Sequence, residues 1–279
     1  MVITGAAGLV GRVLAGQARR HGYDVVTLTS AQWDITSSDA GASEVRAGDV
    51  VVNCAAYTQV DAAEADAQRA HLVNAVGAGN VARVCADAGA ALIHLSTDYV
   101  FDGTLRRPYD IDDAVGPVSV YGRTKLAGEQ AVHAALPDAC VVRTAWIYEG
   151  RDGTDFAAAM RRAALGDGTV DVVADQIGSP TYVEDLCAAL LQIADGDVRA
   201  PLLHAANVGA VSRYEQAQAV FSSVGADPSR VKPVDSSRHP RPAPRPAYSA
   251  LSPAKSAAAG LTPLRPWREA VAAAMAVTL

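Results

Sequence analysis

The stretch Thr4-Gly5-Ala6-Ala7-Gly8-Leu9-Val10-Gly11 decides how the rest of the chain is read. It stands between a strand-like Val2-Ile3 and a helical run that continues through Arg19. Glycines at such a junction let the backbone turn tightly and approach a pyrophosphate, and the first turn of the following helix offers unpaired N–H groups and positive potential. A glycine pattern alone is weak, since a structural turn uses the same residues. The alternation that follows gives it weight. Asp24 to Leu28, Asp49 to Asn53, Ala91 to Leu95 and Cys140 to Thr144 are strand-like, with helical stretches from about Ala67 to Ala88 and from Val120 to Ala135 between them. Strands alternating with helices build a parallel sheet covered on both faces. Only Met1, Val2 and Ile3 precede Thr4, fewer than the roughly four to six residues of a usual strand, so the natural chain is expected to begin a few residues upstream.

The expected fold is α/β: a Rossmann-type doubly wound parallel sheet with a smaller C-terminal substrate-binding lobe. Residues 1–150 form the dinucleotide-binding domain, with part of 169–195 returning to it, and residues 151–279 form mainly the substrate lobe. The 279 residues, half of them hydrophobic, suffice for a large core. In the second half Thr169 to Val173 is strand-like, Val183 to Ala194 reads as an amphipathic helix, and the tail from Trp267 reads as a helix. Pro233 to Pro246 is rich in proline and is expected to hold no regular element.

The net charge of −6 gives no basic field for nucleic acid or anionic lipid. Arg238, Arg241 and Arg245 cluster, but among prolines, as in a solvated loop. No apolar run reaches the ~20 residues of a membrane span, and the N-terminus lacks the sections of a signal peptide. The expected location is the cytoplasm. Cys54, Cys85, Cys140 and Cys187 are far apart in apolar surroundings, without CxxC or zinc spacing, and read as reduced thiols. The six histidines are scattered and no metal is expected.

Tyr121-Gly122-Arg123-Thr124-Lys125 places a phenol and an ammonium four residues apart, on one face of a helix. A nearby cation favours phenolate and is expected to lower the phenol from ~10 toward the working pH. Such a phenol can deliver a proton to a carbonyl oxygen as hydride arrives. Leu95-Ser96-Thr97 lies upstream at the carboxyl end of a strand, the edge where ligands bind in these sheets, and the Thr97 hydroxyl can bond the same oxygen. The alternative for Tyr121 and Lys125 is an ordinary surface pair. NAD-preferring sites carry an acid at the end of the second strand. Leu28-Thr29-Ser30 offers none, which favours NADPH over NADH. Arg12 either reaches a 2′-phosphate or is a surface arginine.

On TGAAGLVG (4–11), WDIT (33–36), NCAAYTQVDAAEAD (53–66), LSTDYVFDG (95–103), YGRTKLAGE (121–129), VVRTAWIY (141–148), DQIGSPTYVEDL (175–186) and RPAPRPAYSAL (241–251), the chain resembles the dTDP-4-dehydrorhamnose reductase family of extended short-chain dehydrogenases, in its actinobacterial form. The resemblance implies that Thr97, Tyr121 and Lys125 are catalytic. It implies cofactor contacts at Gly5, Gly8, Leu9, Val10 and Gly11, at Asp34 and Ile35 beside the adenine, at Ala55, Ala56, Tyr57 and Thr58, and at Tyr121 and Lys125. Asp98 and Trp146 correspond to substrate contacts. Arg245 is added by position, as a bidentate partner for the nucleotide diphosphate. The implied activity is reduction of a nucleotide-sugar ketone in dTDP-rhamnose biosynthesis, for cell-wall polysaccharide. Family dimers bridged by metal through glutamates are doubtful here: Val13 holds one matching place and only Glu184 lies near another. A monomer or weak homodimer is expected.

Blander readings stand beside these. Asn53 and its alanines can serve close packing, Trp146 can be core, Asp98 can cap a turn, and Asp61 and Glu64 can be an acid cluster at a helix N-terminus. Asn74 either bonds a backbone carbonyl and holds water for the lysine, or is a helix polar group. Rival functions are reduction of another dTDP-4-keto-6-deoxysugar, a non-catalytic regulatory subunit of the same fold, and an epimerase or dehydratase with tightly held NAD. The complete Thr97, Tyr121 and Lys125 set argues against the regulatory subunit. The single acid in Thr97-Asp98-Tyr99 argues against a dehydratase.

Overall fold

The computed structural model describes residues 1–38, 41, 43–150 and 153–276. Strands β1 (Val2–Thr4), β2 (Val26–Leu28), β3 (Val50–Asn53), β4 (Ala91–Thr97) and β5 (Cys140–Thr144) come from the first half of the chain. Short strands follow: β6 (Ile147–Tyr148), β7 (Val170–Val173), β8 (Ile177–Gly178) and β9 (Thr181–Tyr182). Then come β10 (Leu202–His204), β11 (Val211–Ser212) and β12 (Val231–Val234). The central sheet has the order β10-β5-β4-β3-β1-β2, and all its pairings are parallel. The chain steps outward one way from β1 to β2, then the other way from β3 to β10. The reversal lies between β1 and β3, where ligands bind in doubly wound sheets.

Period-two alternation in apolar strands sends neighbouring side chains to opposite faces. Ile3, Val52, Ile93 and Val142 enter one core with Leu14, Leu186 and Leu190. Val2, Val51, Leu92 and Val141 enter a second with Val81, Cys85 and Val132. The helices supplying these layers are α1 (Leu9–Arg20), α2 (Val60–Ala65), α3 (Ala67–His71), α4 (Ala78–Ala88) and α5 (Val120–Ala135), then α6 (Phe156–Leu165) and α7 (Val183–Ala194). The last are α8 (Arg213–Ser223), α9 (Ala254–Ala258) and α10 (Trp267–Ala276). α1 packs on α7 on one side of the sheet, and α4 on α5 on the other. No helix among the described residues is long and apolar enough to cross a membrane.

Three local readings need correction. The stretch from Ala67 to Ala88 is not one α-helix: a wider π turn, Leu72–Gly77, joins α3 to α4. Such turns are rare and gather at functional sites. Asp24 and Val25 precede β2 rather than belonging to it. Pro233, expected in an irregular segment, sits within β12, which pairs parallel with β7. A two-stranded sheet has only edge strands, where proline is tolerated because its missing N–H can face away from the partner. Residues 151 and 152, at the expected division between the halves, lie outside the described residues.

Candidate active site

The glycine turn and the turn after β3 meet at the sheet's point of reversal. Gly5 has a φ of +62°, and a Cβ there would stand 2.6 Å from the Ala55 backbone nitrogen, so only glycine fits without strain. A Cβ on Gly11 would stand 2.6 Å from the Gly5 carbonyl oxygen. The first turn of α1 has no side-chain cap and no acid, which leaves its N–H groups and positive end for an anion. A crevice of about 540 Å³ opens here. Gly5, Gly8, Leu9, Val10 and Gly11 line it with Asp34, Ile35, Ala55, Ala56, Tyr57 and Thr58. An uncapped helix end, glycines that bar a Cβ and an apolar far wall fit a dinucleotide.

The far wall is fixed by residues outside the crevice. The Asn80 side chain donates to the Ile35 carbonyl at 2.8 Å, and Ile35 lies where a Cβ on Gly77 would be. Asp34 accepts from the Thr36 backbone and hydroxyl, which hold its carboxyl below the usual range. Asn53 accepts from the Thr4 hydroxyl at 2.7 Å and the Ala55 N–H at 3.1 Å, so it ties β1 to the turn rather than merely permitting packing. Asn74, in the π turn, accepts from the Tyr57 N–H at 2.8 Å and donates to the Tyr57 carbonyl at 3.1 Å and the Thr124 hydroxyl at 3.0 Å. Of its two readings, the structure gives the backbone contact. α5 comes this close because Gly128 has no Cβ, which would stand 2.1 Å from the Asn74 carbonyl oxygen.

The N-terminus of α5 is capped by Ser119, which accepts from the Gly122 N–H at 3.1 Å. Glu64 also accepts from the Val120 N–H at 2.8 Å, so it serves α5 rather than an acid cluster on α2. That start aims Tyr121 and Lys125 at the end of β4. Thr97 is the last residue of β4; its hydroxyl donates to Asp98 at 3.1 Å and accepts from the Tyr99 N–H at 3.2 Å. Tyr99 packs edge-on against Tyr121, with ring centres 5.8 Å apart.

The expected acidification of Tyr121 is not found. Burial pushes the phenol well above its ordinary value, Asp98 and Tyr99 push the same way, and only a hydrogen bond with Thr97 opposes them. The reason lies in Lys125. Its ammonium donates to the Leu95 carbonyl at 2.6 Å, and burial lowers it to about 8. The phenol therefore holds its proton firmly, and the lysine is brought toward neutrality.

The substrate-side candidates gather around Asp98. Asp98 is buried, accepts from the Ser249 hydroxyl at 2.5 Å, and is pushed up to about 6, chiefly by burial. Trp146 has a φ of +45°, uncommon for a bulky residue. Its indole occupies the place of a Cβ on Gly178, and the Arg213 guanidinium lies 3.6 Å from its ring centre. Arg245 donates to both Asp61 carboxylate oxygens, at 2.6 and 3.0 Å, so the bidentate partner it has here is a carboxylate. Sequence reasoning missed Arg213 and Ser249. Arg213 is lowered to about 10 by burial, and Asp98 and Tyr99 act on it electrostatically.

The family model described as RmlD substrate binding domain matches residues 1–279. The chain belongs to this family. A dTDP-4-dehydrorhamnose reductase of Mycolicibacterium smegmatis is 64% identical, over 100% of this chain and 86% of that one. The enzyme of the same name from Mycobacterium tuberculosis is 59% identical, over 99% and 92%. A crystal structure of dTDP-4-dehydrorhamnose reductase from Bacillus anthracis in complex with NADP superposes with a TM-score of 0.91 at 35% identity, covering 97% of this chain and 96% of that one.

Within this RmlD-family chain, Arg12 does not face the crevice: it pairs with Glu149 at 2.9 Å. Arg69, which sequence reasoning passed over, lines the crevice near Asp34. Val13 is buried, and Glu184 accepts from Gln17 of α1 at 2.5 Å.

Proposed function

We infer that this protein reduces the C4″ ketone of dTDP-4-dehydro-L-rhamnose to give dTDP-L-rhamnose, as an NAD(P)H-dependent reductase. The observation that carries the reading is the meeting of Thr97, Tyr121 and Lys125 at the carboxyl end of β4, beside the glycine crevice, in a chain 64% identical to a reductase of that name. Gly5, Gly8 and Gly11 with the open end of α1 hold the pyrophosphate, and Asp34 and Ile35 flank the adenine. Ala55, Ala56, Tyr57 and Thr58 line the path inward. When bound, the reduced nicotinamide supplies hydride.

The remaining chemistry belongs to the side chains. Tyr121 gives its proton to the oxygen of the sugar ketone. A phenol raised by burial is suited to this: it is fully protonated at neutral pH, yet more acidic than the alcohol that the alkoxide becomes. Thr97 orients that oxygen. Lys125, anchored by one N–H on Leu95, offers its remaining N–H groups to the nicotinamide ribose. Asp98 and Trp146 contact the sugar, and Arg245, held by Asp61, is the candidate cation for the diphosphate. Residues 1–150 act as the dinucleotide-binding domain and 151–279 mainly as the substrate lobe. The enzyme works in the cytoplasm as a monomer or weak homodimer, without nucleic-acid or membrane partners.

The deciding experiment follows NADPH and NADH oxidation with enzymatically made dTDP-4-dehydro-L-rhamnose; no oxidation of either refutes the reading. A second reading, another dTDP-4-keto-6-deoxysugar, draws support from relatives with other names. One is a dTDP-4-keto-6-deoxy-D-glucose reductase of Streptomyces niveus, 43% identical over 97% of this chain and 94% of that one. A panel of keto-sugars in the same assay separates the two.

A further inference from the structure

Tyr121, Lys125 and Glu129 follow one another at intervals of four along α5, so they share one face. Lys125 and Glu129 are 3% and 5% exposed. Glu129 is gripped from the sheet: Arg143 of β5 donates from Nε at 2.9 Å to one oxygen and from Nη2 at 2.7 Å to the other, and the Ser96 hydroxyl of β4 donates to the first. A bidentate pair this deep is costly to desolvate, and its value lies more in specificity than in stability. Its place, one turn behind the lysine, gives it a task.

A buried ammonium tends to lose its proton unless an opposite charge faces it. Lys125 is acted on by Glu129 of α5 and Cys54 after β3, and it acts in turn on His94 of β4; Tyr121 shares its helix face, Arg143 of β5 is bound to Glu129, and Asp98 follows β4. Burial raises the Cys54 thiol to about 12, so it stays neutral. His94 is kept neutral by burial, and Arg143 is a cation. Asp98 is bonded to Thr97 and Ser249. Glu129 is the main influence opposing the burial of Lys125.

We propose that Glu129, clamped by Arg143 and Ser96, is a positioning residue that keeps Lys125 protonated and therefore able to hold the nicotinamide ribose. The proposal rests on the reading of Tyr121 and Lys125 given above and extends it one helical turn inward. Glu129 is buried and does not line the crevice.

The chain has three lysines, Lys125, Lys232 and Lys255, and the last two are exposed. Full-length protein labelled with ¹³C at lysine Cε therefore reports Lys125 directly by NMR titration. Glu129→Gln is expected to lower the Lys125 midpoint by about one pH unit, leaving the other two lysines in place. Glu129→Asp restores it. In parallel, NADPH binding to Glu129→Gln is weakened about fivefold near pH 8, approaching tenfold above about pH 9, and less than about twofold near pH 6. If Glu129→Gln does not fold, Glu129→Gln/Arg143→Met removes the pair whole, which interiors tolerate better than half of it; its midpoint also falls. An unchanged midpoint in a folded variant overturns the proposal. The titration needs no sugar nucleotide, so its failure and failure of the keto-sugar assay are separate results.

Discussion

The glycine crevice and the cluster around Asp98 are made of different things. The crevice is built mostly by main chain: glycines that bar a Cβ, an uncapped helix end, and a turn fixed by Asn53 and Asn74. The Asp98 cluster is built by side chains meeting over long separations: Asp61 with Arg245, Asp98 with Ser249, Trp146 beneath Arg213. Backbone recognition suits a ligand part that never varies, whereas side-chain recognition can be retuned for different sugars without disturbing the sheet.

Where the two meet, the largest effect is expected. Tyr121→Phe should lower kcat by about 10²- to 10⁴-fold while NADPH still binds, as read by its fluorescence; unaltered turnover removes Tyr121 from the chemistry. In the main-chain region, Gly5→Ala forces a side chain into positive φ and onto Ala55. It should weaken NADPH by roughly ten- to a hundredfold, and calorimetry showing normal binding would dissolve the contrast. On the side-chain face, Arg213→Gln should raise KM for the sugar nucleotide about tenfold with kcat and NADPH binding kept. Equal losses for cofactor and sugar would mean that the regions are not separable.

Lys125 links the two regions through pH. Activity should fall above about pH 8 as the lysine loses its proton. Stability should move the other way. The folded value lies below the ordinary 10.5, so between the two values the unfolded chain holds more protons, and the cost of burying the ammonium is relieved as pH rises through that window. Urea melts on either side of about pH 8 check the sign. The smallest effect is on cofactor choice: Arg69→Ala should weaken NADPH only a few-fold and leave NADH unchanged, measured as a ratio of KM values.

What the sequence disclosed follows the same division. α5 and β5 have the bounds that periodicity assigns, Val120–Ala135 and Cys140–Thr144, because each is set by local pattern and capping. The glycine turn was legible because its conformation demands one residue type. Arg213 was not, because its significance comes from Trp146 and Asp98, brought near only by the folded second half. The close fit of the π turn at Asn74 was hidden because it depends on Gly128, on another helix. The acidified tyrosine was a reasonable inference from spacing, but spacing does not say that the ammonium reaches Leu95 or that the phenol is buried.

β10 reaches the flank of the central sheet from residues 202–204 and covers the hydrogen-bonding side of β5. A fragment ending near residue 150 would leave that flank bare, a template for pairing with other chains. Such a piece should aggregate when expressed alone, however complete its glycine turn. The polypeptide is sewn shut by a stitch taken late in its length, so engineers grafting a new sugar pocket onto this enzyme must carry that stitch along.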